Sequence, residues 1–191
     1  MKQTRIILGS GSPRRKQLLT DMGFHIEVLS LDIDESFPEH LKCTEVASYI
    51  ADQKMLALKK NTEDTSLLLT ADTTVILENQ LLGKPIDAKN AKWMLAQLSG
   101  KQHVVNTAVE LSYQGKIKKI SCFTDVYFKP LNDQQIDFYI SNFKPFDKAG
   151  SYGIQDWIGL VAINKIQGSY TNVVGLPTDE CFASIQEILN T

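Results

Sequence analysis

The stretch that decides the fold is Arg5-Ile6-Ile7-Leu8-Gly9-Ser10-Gly11-Ser12-Pro13-Arg14-Arg15-Lys16-Gln17-Leu18-Leu19. The apolar run at its start predicts a buried strand. A turn of small residues follows, and Ser12 and Pro13 are well suited to begin a helix. A strand that leads through such a turn into a helix is typical of an α/β fold.

The same stretch carries the donors of a phosphate site. Free N–H groups at a helix N-terminus attract anions, and the Ser10 and Ser12 hydroxyls and the guanidinium groups of Arg14 and Arg15 could point at one anion. A plain strand-to-helix connection with two solvated arginines is the alternative, although two cations in a first helical turn oppose the helix dipole. Neither a P-loop nor the dinucleotide-binding glycine pattern is present.

Composition bounds the class of protein. The chain has 191 residues, 43% of them hydrophobic, which is enough for one domain with a full core. Its 20 Lys and Arg against 22 Asp and Glu argue against a general nucleic-acid surface or a basic membrane helix. The three cysteines are widely spaced, and no run is suited to a signal peptide or a membrane span. We therefore expect a cytoplasmic protein that binds neither nucleic acid nor membranes.

Helix and strand signals alternate along the rest of the chain. Helices are predicted over 16–22, 44–60, 87–98, 132–141 and 178–189. Strands are predicted over 24–31, 66–70 with an extended continuation to 77, 103–113 and 116–128. The Gln114-Gly115 turn between the last two predicts an antiparallel hairpin, so the sheet is expected to be mixed. The glycine-bearing segments 148–155 and 166–177 could be turns or loops that approach a ligand.

Charged residues follow the predicted strands. Asp72 comes directly after a buried run, at the kind of strand end where open α/β sheets place active sites, so it is a candidate general base or metal ligand. The alternative is that Asp72 is an ordinary turn aspartate that caps its neighbours. Asp34 and Glu35 suit a hard cation such as Mg²⁺, although solvated turn acids are the usual explanation of such a pair. Lys84 could contact a phosphate or be a surface lysine, and Lys54 could snorkel or point into a cleft.

Six runs occur in the order of one known family and cover nearly the whole chain. They are Ser10-Gly11-Ser12-Pro13-Arg14-Arg15, Asp34-Glu35, Ala71-Asp72-Thr73, Gly83-Lys84-Pro85, Lys148-Ala149-Gly150-Ser151-Tyr152-Gly153-Ile154-Gln155, and Gly168-Ser169-Tyr170 through Val174-Gly175-Leu176-Pro177. By these runs the chain resembles the Maf family of nucleoside triphosphate pyrophosphatases. The resemblance implies cleavage of the α–β phosphoanhydride to a nucleoside monophosphate and pyrophosphate, a divalent metal (Mg²⁺ or Mn²⁺) and a homodimer.

The resemblance also implies a fold and a set of site residues. The fold is an α/β fold like that of inosine triphosphate pyrophosphatases, a mixed twisted sheet flanked by helices, in one domain (1–191) of two lobes with a central cleft. Asp72 matches the proton acceptor that activates water, and Glu35 matches an active-site acid that we assign, with Asp72, to the metal. The positions that line the phosphate site are matched by Ser10, Arg15, Lys54 and Lys84.

Substrate preference is implied by three further positions. Arg14, Thr73 and Gln155 match the residues that mark the branch of the family that cleaves dTTP and UTP. An amide at Gln155 can pair with the pyrimidine edge, so we expect dTTP, UTP and 5-modified uridine triphosphates as substrates. Asp156-Trp157 stands where smaller residues are common in the family and could alter the base pocket.

A non-catalytic nucleotide-binding regulator of cell division and septum formation is the alternative function. A pure binder has no need of a water-activating acid. The intact set of Asp72, Glu35 and Lys84 therefore favours the enzyme.

Overall fold

A mixed β-sheet of seven strands forms the framework in the computed structural model, which describes residues 5–62 and 66–190. The strands are β1 (Arg5–Leu8), β2 (His25–Val28), β3 (Leu67–Leu77), β4 (Gln80–Leu82), β5 (Gln102–Tyr113), β6 (Lys116–Phe128) and β7 (Ile163–Gln167). Their order is β2-β1-β3-β5-β6-β7, with β4 paired to β3. β1 runs parallel to β2 and β3, whereas β4 and β7 are antiparallel to their neighbours. The predicted mixed sheet is confirmed.

In the part of the chain that the structure describes, seven helices and one 3-10 turn lie between and after the strands. The helices are α1 (Pro13–Asp21), α2 (Cys43–Lys60), α3 (Ala88–Leu98), α4 (Asp133–Phe143), α5 (Trp157–Val161), α6 (Tyr170–Val174) and α7 (Thr178–Asn190), and the 3-10 turn covers Ala149–Ser151. Within the described residues, no helix is long and apolar enough to cross a membrane.

The chain divides into two compact units. Within the described residues, the first unit comprises the chain up to Asp72, Thr107–Cys122 and the chain from Gly175 onward, and the second comprises Thr73–Asn106 and Phe123–Val174. The predicted central cleft stays a prediction.

The first unit is built around strands that are buried on both faces. Ile6 and Leu8 belong to one core cluster with residues of α1 and α7, whereas Ile7 belongs to another with Met55 and Leu58 of α2. Because successive side chains of a strand point to opposite faces, burial of both faces requires an uninterrupted apolar run. This is why β1 could be predicted from a run without alternation.

The predicted N-cap of α1 is confirmed, whereas the predicted N-cap of α2 is wrong. Ser12 caps α1 by accepting a hydrogen bond from the Arg15 backbone N–H, with Pro13 in the first turn. The helix predicted over 44–60 has Thr44 as a possible N-cap, and this is wrong, because α2 begins at Cys43 and its cap is Lys42. The Glu45 carboxylate accepts the Lys42 N–H at 3.0 Å and so satisfies a backbone donor at the start of the helix. The helix therefore begins one residue before Thr44.

The second unit has its core between the end of β3, the beginning of β5, the end of β6 and helices α3 and α4. Val75, Leu95, Val126 and Ile136 are among its buried members. β6 has the bounds that the sequence predicts, and the two-residue turn Gln114-Gly115 makes it antiparallel to its neighbour β5. The short elements α5, β7 and α6 are absent from the sequence-based prediction, because five residues are too few to establish a periodic pattern.

A buried carboxyl in the first unit faces charges from two elements. Glu110 of β5 is 5% exposed, and Lys119 of β6 places its Nζ 3.7 Å from Glu110 Oε2 and 2.6 Å from Oδ2 of Asp52 in α2. Burial and the neighbouring Asp52 carboxyl raise the pKa of Glu110 to about 7, and Lys119 and Lys59 of α2 oppose this rise. The folded protein therefore holds a proton on Glu110 at pH values where the unfolded chain has lost it.

Replacing Glu110 by glutamine is expected to stabilise the protein increasingly as the pH rises. Because the folded pKa of about 7 exceeds the unfolded value near 4.5, the free energy of unfolding of the wild type falls between these pH values. A neutral amide removes this dependence. Thermal unfolding of both proteins from pH 5 to 8 measures the effect, and a difference in Tm that stays constant over this range would contradict it.

Candidate active site

A lysine bridges two carboxylates in the first unit. Nζ of Lys54 lies 2.7 Å from Oδ1 of Asp72 and 2.8 Å from Oε1 of Glu35. Asp72 lies within β3, Lys54 on α2 and Glu35 in the segment that follows β2. The side chains of Lys54 and Asp72 are only 14% and 13% exposed, whereas that of Glu35 is 41% exposed. Lys54 therefore points to the catalytic candidate rather than snorkelling to solvent.

The environment of Asp72 changes its basicity. Burial raises the pKa of Asp72 above its ordinary value, while the charges of Lys54 and Arg15 lower it without cancelling the effect of burial. A carboxylate with a raised pKa is a stronger proton acceptor, and the adjacent ammonium keeps it in a defined orientation. This combination suits a group that takes a proton from water.

Arg15 donates a hydrogen bond to the backbone of the strand that carries Asp72. Its guanidinium is buried and donates through Nη1 to Oγ of Ser10 at 2.8 Å and to the Ala71 carbonyl at 2.9 Å. Its Nε donates to the Gly175 carbonyl at 2.9 Å. Burial lowers the pKa of Arg15, and the charge of Asp72 opposes this change. A fixed positive charge thus lies beside the backbone of β3, and its role as a phosphate contact stays a prediction.

The glycine-bearing segment 166–177 contacts the candidate site through Gly175. Its φ of 125° lies in the region that glycine adopts without strain, and in this conformation its carbonyl meets Arg15. These two residues are 160 positions apart in the sequence. The sequence leaves the segment of Gly175 open between a turn and a loop that approaches a ligand, and it carries no signal for this contact.

The acids after β2 have different environments. Asp34 accepts hydrogen bonds from the backbone N–H of Ser36 at 2.9 Å and from its hydroxyl at 2.8 Å, and these bonds lower the pKa of Asp34. Asp34 therefore matches the alternative interpretation of this pair, in which it is a solvated turn acid. Glu35 is the member of the pair that contacts Lys54.

The donor set fits a cation that binds together with phosphate. The described residues contain no group of three or more His, Cys, Asp and Glu side chains that could hold a metal ion. Glu35 and Asp72 nevertheless supply the one or two carboxylates that Mg²⁺ uses when substrate phosphates provide its other ligands. They therefore suit a substrate-associated cation better than an all-protein metal cage.

The second unit contains three of the predicted site residues, Thr73, Lys84 and Gln155. Thr73 follows Asp72 in β3 and is half-buried, whereas Lys84 and Gln155 are exposed. The turn of Lys84 is tied to the segment before Gln155, because the Gly150 N–H donates to the Gly83 carbonyl at 3.0 Å. Arg14, the third predicted specificity residue, is half-buried and belongs to the first unit.

Two residues beside Gln155 escape the sequence-based prediction. The Tyr139 hydroxyl contacts both the Gly153 N–H and the Asp156 carboxylate, on either side of Gln155. Asp156 is visible in the sequence only as a departure from the family pattern. Tyr139 is a core residue of α4, and no local signal distinguishes it from its neighbours.

Comparison with known proteins finds relatives along the whole chain. A family model described as Maf-like protein matches residues 5–188. A dTTP/UTP pyrophosphatase of Christiangramia forsetii is 43% identical over 100% of this chain and 97% of the relative. A dTTP/UTP pyrophosphatase of Flavobacterium psychrophilum is 46% identical over 95% of this chain and 93% of the relative. The solved structure of a nucleoside-triphosphatase / dITP/XTP pyrophosphatase of Mycobacterium abscessus covers 98% of this chain and 96% of its own, with 14% identity and a TM-score of 0.45.

Proposed function

Because this chain belongs to the Maf family, we infer that it is a nucleoside triphosphate pyrophosphatase, and we propose dTTP and UTP as its substrates. The names of its curated relatives support the reaction and the choice of bases. The structural observation that carries the proposal is the buried Asp72 carboxylate held by Lys54. A buried acid held in one orientation suits the activation of water, which a pure binder does not need.

In the proposed reaction, Asp72 accepts a proton from the attacking water as the α–β anhydride breaks. Lys54 orients this carboxylate and balances the charge of Asp72 and Glu35. Arg15 stabilises negative charge on the triphosphate and holds Ser10 as a further phosphate contact. Lys84 is proposed to bind phosphate as a point charge.

The proposed base contacts are Arg14, Thr73 and Gln155. A glutamine amide offers one acceptor and two donors, so Gln155 can accept from the uracil N3–H and donate to a uracil carbonyl. The C5 position takes no part in this pairing, and thymine is itself a 5-methylated uracil. A site that accepts both dTTP and UTP is therefore expected to hydrolyse 5-modified uridine triphosphates.

Glu35 and Asp72 would hold a divalent cation, Mg²⁺ or Mn²⁺, together with phosphate oxygens. When bound, the cation would neutralise phosphate charge and so lower the barrier to attack by an oxygen nucleophile.

A nucleotide panel tests the proposed function. The purified protein is incubated with dTTP, UTP, CTP, ATP and GTP in the presence of Mg²⁺ or Mn²⁺, and pyrophosphate and nucleoside monophosphate are measured. We expect dTTP and UTP to be cleaved with the highest kcat/KM and both products to form in equal amounts. Tight binding of a nucleotide without pyrophosphate release from any triphosphate would instead favour the regulator of cell division.

A further inference from the structure

Gln155 lies in a turn whose two ends meet on one hydroxyl. The Asp156 N–H donates to the Gly153 carbonyl at 3.0 Å, which closes a four-residue turn with Gln155 at its third position. The Tyr139 hydroxyl accepts from the Gly153 N–H at 3.0 Å and donates to Oδ2 of Asp156 at 2.6 Å. One side chain of α4 thus binds both ends of the turn.

Tyr139 is held rigidly by its own surroundings. Its side chain is fully buried and stacks on Phe143 of the same helix with the ring centroids 5.3 Å apart. The helix is anchored by a capping box, in which Asn132 accepts the Gln135 N–H and the Gln135 side chain accepts the Asn132 N–H. Burial and the Asp156 carboxylate raise the pKa of Tyr139, so its hydroxyl remains a donor.

The ammonium group of Lys148 lies beside the Asp156 carboxylate of this turn. Nζ of Lys148 is 3.7 Å from Oδ2 of Asp156 and 2.8 Å from Oδ1 of Asp147, and the Lys148 side chain is only 14% exposed. Asp156 is therefore both hydrogen-bonded and charge-compensated, as a partly buried carboxylate requires.

Two glycines allow close contact between this turn and adjacent segments of the same polypeptide. A Cβ at Gly153 would lie 2.8 Å from Oδ2 of Asp156 and 2.9 Å from Cε of Lys148. A Cβ at Gly159 of α5 would lie 1.8 Å from the Ile154 carbonyl oxygen. The backbone on both sides of Gln155 is thus fixed by packing as well as by hydrogen bonds.

We propose that Tyr139 and Asp156 are positioning residues for base selection, which clamp the turn so that the Gln155 side chain reaches the pyrimidine edge from one fixed backbone position. This inference rests on the proposed function, in which Gln155 reads the base. Discrimination between uracil and cytosine depends on which amide atom faces position 3 of the ring, because uracil carries a donor there and cytosine an acceptor. A turn free to tilt weakens this discrimination.

Tyr139→Phe is the direct test, because it removes only the hydroxyl and keeps the ring packing. We expect the ratio of kcat/KM for UTP to that for CTP to fall about tenfold, the effect of losing one to two hydrogen bonds. The fall should lie mainly in a higher KM for UTP, with kcat changed less than about threefold, because Asp72 and Lys54 are untouched.

Substitutions of Asp156 provide a graded series. Asp156→Ala should lower the UTP/CTP ratio as much as Tyr139→Phe, and Asp156→Asn should lower it less, because the amide oxygen still accepts from the hydroxyl. The double variant Tyr139→Phe/Asp156→Ala should lower the ratio no more than either single change, since both break the same clamp. Additive losses in the double variant would overturn the clamp.

Tyr152→Phe is the matched control for stability. Tyr152 is also a buried tyrosine of the same unit, 5% exposed against 0% for Tyr139, but its hydroxyl bonds to Nε2 of His103 at 2.7 Å and not to the turn. We expect a similar fall in Tm and no change in the UTP/CTP ratio. An unchanged ratio in Tyr139→Phe, or an equal change in Tyr152→Phe, would overturn the inference. Failure of the wild type to cleave UTP would instead overturn the proposed function.

Discussion

Asp72→Asn is expected to lower kcat for UTP by about a thousandfold, the scale of losing a positioned general base. Asparagine has nearly the same shape as aspartate but no oxygen basic enough to accept a proton from water. The side chain still offers an oxygen to the Lys54 ammonium, which lies 2.7 Å from the native carboxylate. Binding of the nucleotide should therefore change little. Single-turnover pyrophosphate release measures the chemical step, and calorimetry with a non-hydrolysable UTP analogue measures the Kd.

Asp125→Asn is a suitable control for this result. Asp125 is also a half-buried aspartate of a long strand, β6, and has no place in the proposed reaction. Its substitution should leave kcat within about twofold of the wild type, as expected away from the reacting groups. Turnover near that of the wild type in Asp72→Asn would remove Asp72 from the role of base.

Lys54→Met is expected to lower kcat/KM about a hundredfold. This is the scale of losing a preorganised charge that acts in a water-poor site. Methionine fills a similar volume, but it leaves the Asp72 and Glu35 carboxylates without the ammonium between them. The pKa of Asp72 rises further when the attraction of Lys54 is lost, so less of the active carboxylate is present. Steady-state pyrophosphate release across a range of UTP concentrations measures the change.

Two further substitutions separate charge from helix stability in this experiment. Lys60→Met changes an exposed lysine of the same helix and should leave kcat/KM unchanged. Lys54→Arg keeps the positive charge and should recover part of the lost activity, because a guanidinium still binds carboxylates with a different geometry. If Lys54→Met retained wild-type kcat/KM, the bridge would have no part in the reaction.

Much of the fold follows from local patterns in the sequence. The alternation of β6, the Gln114-Gly115 turn and the Ser12-Pro13 helix start each depend on residues close together in the chain, so they could be predicted. The N-cap of α2 could not, because Glu45 reaches back to Lys42 and competes with the expected cap at Thr44. The segment from Trp157 to Val174 also escaped prediction, since its elements derive their stability from contacts with the core rather than from a pattern of their own.

The candidate site divides in the same way. From the sequence alone come the family, the mixed sheet and the residue types that suit phosphate chemistry, because short motifs and apolar runs preserve this information locally. Only the tertiary structure decides that Lys54 bridges Glu35 and Asp72, that Arg15 braces β3 through the Ala71 carbonyl, and that Tyr139 clamps the turn of Gln155. These contacts join residues far apart in the chain, and packing determines them because no local pattern specifies which distant side chains will meet.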